Sequence, residues 1–182
     1  MAEPIEIEVW QGEISELEVD ALVIPANESL FMTAPTAASV KRRAGDEVEW
    51  AAVAQGPVEA GRVVVTPGGR LAAPYLIHAV AVGHELLADA DRLRAAVDAA
   101  LAAAEHLGLR RIAISPLGTE RGVFGPADAT RILLQGIAAH ADDEGRHLES
   151  VVIAVPRSDE LAAVHAVLDA ATGRVRQPLA DG

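Results

Sequence analysis

The sequence predicts an α/β domain with helices on both faces of a mixed sheet. Short apolar runs bounded by turn residues alternate along the chain with longer segments of helical apolar spacing. One run, Ala21–Pro25 (ALVIP), is continuously apolar, as strands buried on both faces are. Hydrophobic residues make up 51% of the chain but aromatics only 3%, so the core must be mainly Ala, Val, Leu and Ile, which suits close packing of helices on a sheet. At 182 residues the chain is expected to form a single domain over residues 1–172, followed by a C-terminal tail over 173–182.

The elements follow in order. Ile5 to Val9 alternate with period two, as a half-buried or edge strand does, and Ala21–Pro25 is the buried strand. A basic helix is expected to begin near Ser39 in SVKRRAG, and Asp46 to Gln55 is an amphipathic stretch. Gly61–Thr66 and Tyr75–Val80 read as two strands of a hairpin, since Pro67, Gly68, Gly69 and Pro74 between them are turn residues. Leu93, Val97, Leu101 and Ala104 recur at helical spacing, Arg111–Ser115 is a strand, and Ile132, Leu133 and Ile137 mark a helix starting near Pro126, a favoured first-turn residue. Val151–Val155 is the last strand. Ser158 is expected to cap a final helix carrying Leu161, Val164 and Leu168, with Asp159 and Glu160 placed against its positive end.

Composition removes several function classes. Without cysteine there is no disulfide, thiolate nucleophile or thiolate metal site. A net charge of -12 argues against general affinity for nucleic acid or an anionic membrane, which rests on Lys and Arg neutralising phosphates. The basic cluster Lys41, Arg42 and Arg43 reads as a solvated helix face. No apolar run approaches the roughly 18 residues needed to span a bilayer, and MAEPIEIEVW lacks the basic and apolar regions of a leader, so cytoplasmic residence is the expectation. No metal or cofactor is expected.

In sheets of this kind ligands bind at the carboxyl ends of the strands. Two loops qualify. The first follows Ala21–Pro25 and contains Asn27; the second, PLGTERGVFGPADA, follows Arg111–Ser115. The second loop has the stronger chemistry: Gly118, Gly122 and Gly125 allow close backbone approach, and the next helix N-terminus offers free N–H groups to an anion. Its glycine spacing is neither G-x-G-x-x-G nor a Walker A loop, so a plain strand-to-helix turn stands equally beside the anion site.

These residues together resemble a known family. VWQGEISELEVDALVIPAN is similar to the opening of macro domains, the ADP-ribose-binding family, which usually reads G-D-I-T and then V-D-A-I-V-N-A-A-N. EAGRVVVTPGGRLAAPYLIHAV resembles the family's G-E-A…T-x-G-x-L…Y-V-I-H-A-V segment, and RRIAISPLGTERGVFG its strand and second glycine-rich loop. The likeness runs over residues 5 to 155. It implies a three-layer α/β/α macro-domain-like sandwich with a mixed central sheet, and a ligand cleft between the two loops. It also implies contact of the adenine amine with Glu13, beside Ile14, and of the distal ribose with Asn27.

The departures from the pattern lie in the phosphate loops. Thr33, Ala34, Pro35 and Thr36 stand where the family has G-G-G-V, and proline has no N–H to give a phosphate. In the second loop Gly118, Thr119, Gly122 and Phe124 are retained, but Glu120 and Val123 replace glycines, and a carboxylate beside two phosphates repels them unless Arg121 or solvent compensates. Family members that hydrolyse ADP-ribose esters often carry an aspartate just after the first loop; the matching residue is Ala37, which leaves Glu120 as the remaining candidate base. The implied ligand-binding set is Glu13, Ile14, Asn27, Thr33, Ala34, Gly118, Thr119, Arg121, Gly122, Val123 and Phe124.

Other residues have plainer readings. His78 is expected to be a satisfied core histidine, and His140 and His147, near Asp142, Asp143 and Glu144, to lie at a solvated helix end without metal-ligand spacing. Trp10 is placed to border an adenine pocket and Trp50 to pack, while Phe124 suits either a ribose contact or a plug of its loop against the core. Three functions follow: a binding module for ADP-ribose, a related nucleotide or an ADP-ribosylated protein; a hydrolase of ADP-ribosyl groups or ADP-ribose phosphate; and a degenerate domain binding another ligand or a protein partner.

Overall fold

The protein is described by a computed structural model over residues 4–172; the tail expected over Gly173–Gly182 lies outside the described residues. Strands β1 (Glu6–Gln11), β2 (Ala21–Pro25), β3 (Arg62–Pro67), β4 (Tyr75–Val80), β5 (Arg111–Ile114) and β6 (Ser150–Val155) form one sheet in the order β1-β6-β5-β2-β4-β3. Helices α1 (Pro35–Ala44), α2 (Glu47–Val53), α3 (Ala90–His106), α4 (Pro126–Ala141) and α5 (Ser158–Thr172) cover it. Every pairing is parallel except β3 with β4, the expected hairpin. This is the mixed-sheet α/β/α sandwich expected of the sequence.

The layers follow from strand periodicity. Ala21 and Val23 face a cluster with Leu93, Val97 and Leu101 of α3, Leu133 and Ile137 of α4, and Val164 and Leu168 of α5. Leu22 and Ile24, between them in sequence, face α1 and α2 through Val40, Ala44 and Val48. A strand apolar at every position thus seals both faces at once. Small residues set the spacing of the helices: a Cβ on Gly136 of α4 would lie 2.6 Å from Val97 Cγ1 of α3, so the two helices pack at a distance that only glycine allows there. Asp20 fixes the register at the start of β5 by accepting the N–H groups of Arg110 and Arg111, each at 2.8 Å.

Four local expectations are revised. α1 starts at Pro35, not near Ser39, because proline at the first helical position needs no hydrogen-bond partner and has a suitable φ. Pro67 belongs to β3 and not to the turn, as an edge strand tolerates a missing donor. Ser158 is the first residue of α5 and does not precede it; the carbonyl of Arg157 accepts the first helical N–H, from Leu161, at 3.0 Å. Trp50 is 68% exposed, since it lies on the face of α2 opposite buried Val48 and Ala52.

The histidines also differ in part. His78 is buried as expected; its Nε2 lies 2.9 Å from Thr66 Oγ1, and burial lowers its pKa from 6.5 to about 4. His140 is not at a solvated helix end. Its side chain is 13% exposed, and its Nε2 lies 2.9 Å from Glu105 Oε1 on α3. Glu105 also accepts the N–H groups of His147 and Leu148, at 2.8 and 2.9 Å, and so joins α3, α4 and the entry to β6. The basic cluster is ion-paired: Lys41 Nζ is 2.7 Å from Glu49 Oε1 and Arg43 Nη1 is 3.2 Å from Glu16 Oε1, whereas Arg42 is exposed.

Burial pushes the Glu105 carboxyl up, but the His147 N–H, the His140 ring, the Leu148 N–H and the His147 ring together outweigh it and bring the pKa from 4.5 to about 2. A carboxyl lowered on folding adds stability in full above its unfolded pKa, and that stability is lost as pH falls from 4.5 towards 2. Glu105→Gln is therefore expected to lower unfolding free energy by roughly 2–3 kcal/mol at pH 7. The gap between variant and wild type should close as urea denaturation is repeated towards pH 2. A gap that stays constant with pH would contradict the role given to this carboxylate. His78 acts in the same direction in a higher window, its neutral folded form costing stability as pH falls from 6.5 to about 4, and it affects both proteins equally.

Candidate functional site

The five parallel strands end on one edge of the sheet, and the loops that leave them enclose three adjoining cavities. The first, about 150 Å³, is lined by Gly12, Glu13 and Ile14 after β1, by Pro35 and Thr36 opening α1, and by Ser115 after β5. The second, about 410 Å³, shares Pro35, Thr36, Ser115 and Pro156 with the first and adds Thr119 to Gly122, Arg157 and Glu160. The third, about 110 Å³, shares Pro25, Glu120 and Arg121 with the second and reaches Asn27, Ala34, Gly118 and His84. They form one groove across the carboxyl edge, partitioned at Glu120.

The groove's polar groups are held from behind. Asn27 Nδ2 donates to the Phe31 carbonyl at 2.8 Å, and its Oδ1 accepts from Ser29 Oγ at 2.9 Å, which fixes the side chain at the turn out of β2. Glu13 Oε2 accepts the hydroxyl of Ser39 on α1. Where the first loop lacks glycines, a buried carboxylate shapes it: Glu49 of α2 accepts the Met32 N–H at 2.7 Å and pairs with Lys41 at 2.7 Å. Burial pushes the Glu49 carboxyl up, but Lys41 and the Met32 N–H outweigh it and hold it below the usual range. Across the groove, Glu120 Oε1 accepts the Thr36 N–H at 2.8 Å and ties the second loop to α1.

Arg157 is held by both oxygens of Asp159, at 3.0 and 2.8 Å, so its charge is already partnered where it lines the central cavity. Glu160 beside it is pushed up, chiefly by burial, with Arg157 opposing and the charges of Asp159 and Glu120 adding. Ser115 Oγ is buried without a hydrogen-bond partner. Among the described residues no group of His, Asp and Glu is arranged to hold a metal ion.

The structure brings Glu13, Ile14, Asn27, Ala34, Gly118, Thr119, Glu120, Arg121 and Gly122 to the groove, and not every expected residue is with them. Thr33 is exposed outside the cavity walls, its N–H turned back to the Phe31 carbonyl at 3.0 Å. Val123 lines none of the three cavities, and Phe124 packs against the core cluster with its ring over Gly118, so it is the plug of its loop. Trp10 lies over Gly12 and lines none of the three cavities. Sequence reasoning missed Ser115, His84 and the segment Pro156–Glu160. The rule that selected two loops applies equally to those after β4 and β6, whose turn residues were visible.

The topology and the groove over the carboxyl edge define an α/β/α sandwich whose strand-exit loops line a cleft. The macro domain family model matches residues 23–133. An uncharacterized protein of Pyrobaculum aerophilum is 40% identical over 133 residues, 69% of this chain and 70% of that one. An uncharacterized protein of Mycobacterium tuberculosis strain H37Rv is 31% identical over 173 residues, 95% of this chain; the chain spans about half the length of the mycobacterial relatives it matches, 47% for this one. The chain belongs to the macro domain family. Among solved structures, the Trypanosoma brucei macrodomain in complex with ADP-ribose superposes with a TM-score of 0.84 at 24% identity, covering 90% of this chain and 69% of that one. The Oceanobacillus iheyensis macrodomain with MES bound gives 0.84 at 20% identity, covering 96% and 98%. At these identities the likeness is one of fold.

Gly118 has φ +83°, and a Cβ there would lie 2.7 Å from Phe124 Cδ2. Gly118→Ala is expected to destabilise the protein by roughly 1–3 kcal/mol, from left-handed strain and displacement of the ring. Thermal unfolding measures it, and an unchanged midpoint would show that the loop is free to rearrange.

Proposed function

We propose that the protein is a binding module for ADP-ribose, free or as an ADP-ribosyl group on a protein. One observation carries the reading: a single groove runs from a carboxylate, Glu13, past the amide end of α1 at Thr36, to a fixed carboxamide, Asn27. That order matches the chemistry of ADP-ribose, in which an adenine amine donates at one end, a diphosphate lies in the middle and a ribose offers hydroxyls at the other. A helix N-terminus favours anions through its free N–H groups and dipole, Glu13 accepts from an exocyclic amine, and Asn27 presents both a donor and an acceptor to hydroxyls. The ADP-ribose and ADP complexes of the Trypanosoma brucei macrodomain support the reading by kinship of fold. Hydrolysis has less support. Ala37, at the position of the family's acid, is buried against the core, and Glu120 spends one oxygen on the Thr36 N–H.

Calorimetric titration with ADP-ribose is expected to give saturable one-to-one binding, with AMP and ribose 5-phosphate each binding more weakly. Glu13→Ala should weaken it by roughly ten- to a hundredfold and Asn27→Ala by up to about tenfold, the worth of a charged and of a neutral hydrogen bond. No heat at millimolar ADP-ribose would contradict the proposal.

A further inference from the structure

Glu120 stands where a ligand's anion would stand. Its Oε1 accepts the N–H of Thr36, the second residue of α1, at 2.8 Å. No side chain of the N-cap residue, Ala34, is available to that helix end. The first amides of a helix have no partner within it and carry partial positive charge, so a phosphate oxygen and a carboxylate oxygen are interchangeable occupants. A second feature of the same cavity points to a ligand. Ser115, 7% exposed, lines the cavity with Thr36, and its Oγ has no hydrogen-bond partner. A buried hydroxyl left without a partner is costly, and this one belongs to a residue in the wall of the cavity that Thr36 also lines.

We infer that Glu120 is the specificity-determining residue of the groove, an internal anion that occupies the α1 position and must be displaced by the phosphates of any ligand that binds there. The inference rests on the nucleotide reading above for the ligand's identity, but not for the contact itself. Nucleosides without phosphate need not displace Glu120, whereas a diphosphate must. The negative charge reaches across the cavity, since it helps push up the carboxyl of Glu160 after burial and Asp159, against Arg157.

The loop is built to let the carboxylate leave. Gly118 and Gly122 flank the segment at φ +83° and +68°, and Arg121 between them is held at φ +61°, a left-handed conformation unfavourable to a residue with a Cβ. Arg121 lines both the central and outer cavities. Withdrawal of Glu120 by a turn of Thr119–Gly122 leaves Arg121, which lines the same cavity, as a positive charge on that wall.

The test compares wild type, Glu120→Gln and Glu120→Ala. The Gln variant keeps an oxygen for Thr36, so it remains informative if the Ala variant folds poorly. Inorganic pyrophosphate is titrated while the Thr36 amide is followed by nitrogen–proton NMR, and ADP-ribose and adenosine are titrated by calorimetry. Pyrophosphate is expected to shift the Thr36 amide in the variants at concentrations that leave wild type unmoved. ADP-ribose should bind the variants at least about tenfold more tightly, as loss of one like charge near two phosphates predicts, and adenosine should not change. The same Thr36 response in all three proteins, or none in any, overturns the inference. Equal ADP-ribose affinity in all three also overturns it and leaves the proposed function standing. Discrimination of pyrophosphate with no ADP-ribose binding to any of the three upholds the inference and removes the proposed function.

Discussion

The N-terminus of α1 needs an acceptor, and much of the groove's design answers that need. Its position is fixed by Pro35, which opens the helix directly after the loop leaving β2, and by Val40 and Ala44, which seat α1 on the sheet through Leu22 and Ile24. The helix end is therefore aimed over the carboxyl edge of the parallel strands, where the loops after β1, β4, β5 and β6 also arrive. With a side-chain carboxylate from the second loop on Thr36, the two walls of the groove are linked without a ligand. One hydrogen bond thus serves as helix cap, loop tether and partition of the cleft.

The loss of glycines from the first loop is offset by a different device. A glycine-rich loop follows a phosphate by its own backbone freedom. Here the loop is held by the buried Glu49 on Met32 and Lys41, and its last residues have been taken into the helix. A rigid loop with a helix end gives fewer donors to a phosphate than a glycine cradle does, but the donors it gives are already oriented. The cost of orienting the Thr36 donor falls on folding, whereas the cost of freeing it from Glu120 falls on binding. The second loop keeps glycines, and the left-handed residues Gly118, Arg121 and Gly122 lie next to Glu120.

Much of the architecture was legible because it is local. Period-two and period-3.6 patterning, Pro126 at a helix start and the turn residues between β3 and β4 specify elements without knowledge of their neighbours. Glu13 and Asn27 could be placed because they sit at the exits of β1 and β2, where a motif fixes them relative to a strand. What could not be read was long-range and polar. Glu105 with His140, Glu49 with Met32 and Glu120 with Thr36 join residues 35, 17 and 84 positions apart, and a carboxylate in a sequence does not disclose which amide it will accept. Phe124 was ambiguous for a related reason: its ring fits either a sugar or the bare face of Gly118, and only the closed loop decides. Pro35 lacks the donor a phosphate would use, yet its effect is to start a helix one turn early and so bring Thr36 to the site.

A crystal structure of the protein with ADP-ribose tests the central claim most directly. The account predicts a phosphate oxygen on the Thr36 N–H and within reach of Ser115 Oγ, with the Glu120 carboxylate withdrawn and the adenine beside Glu13. ADP-ribose bound in the groove with Glu120 still on Thr36, or bound on another face, would contradict it.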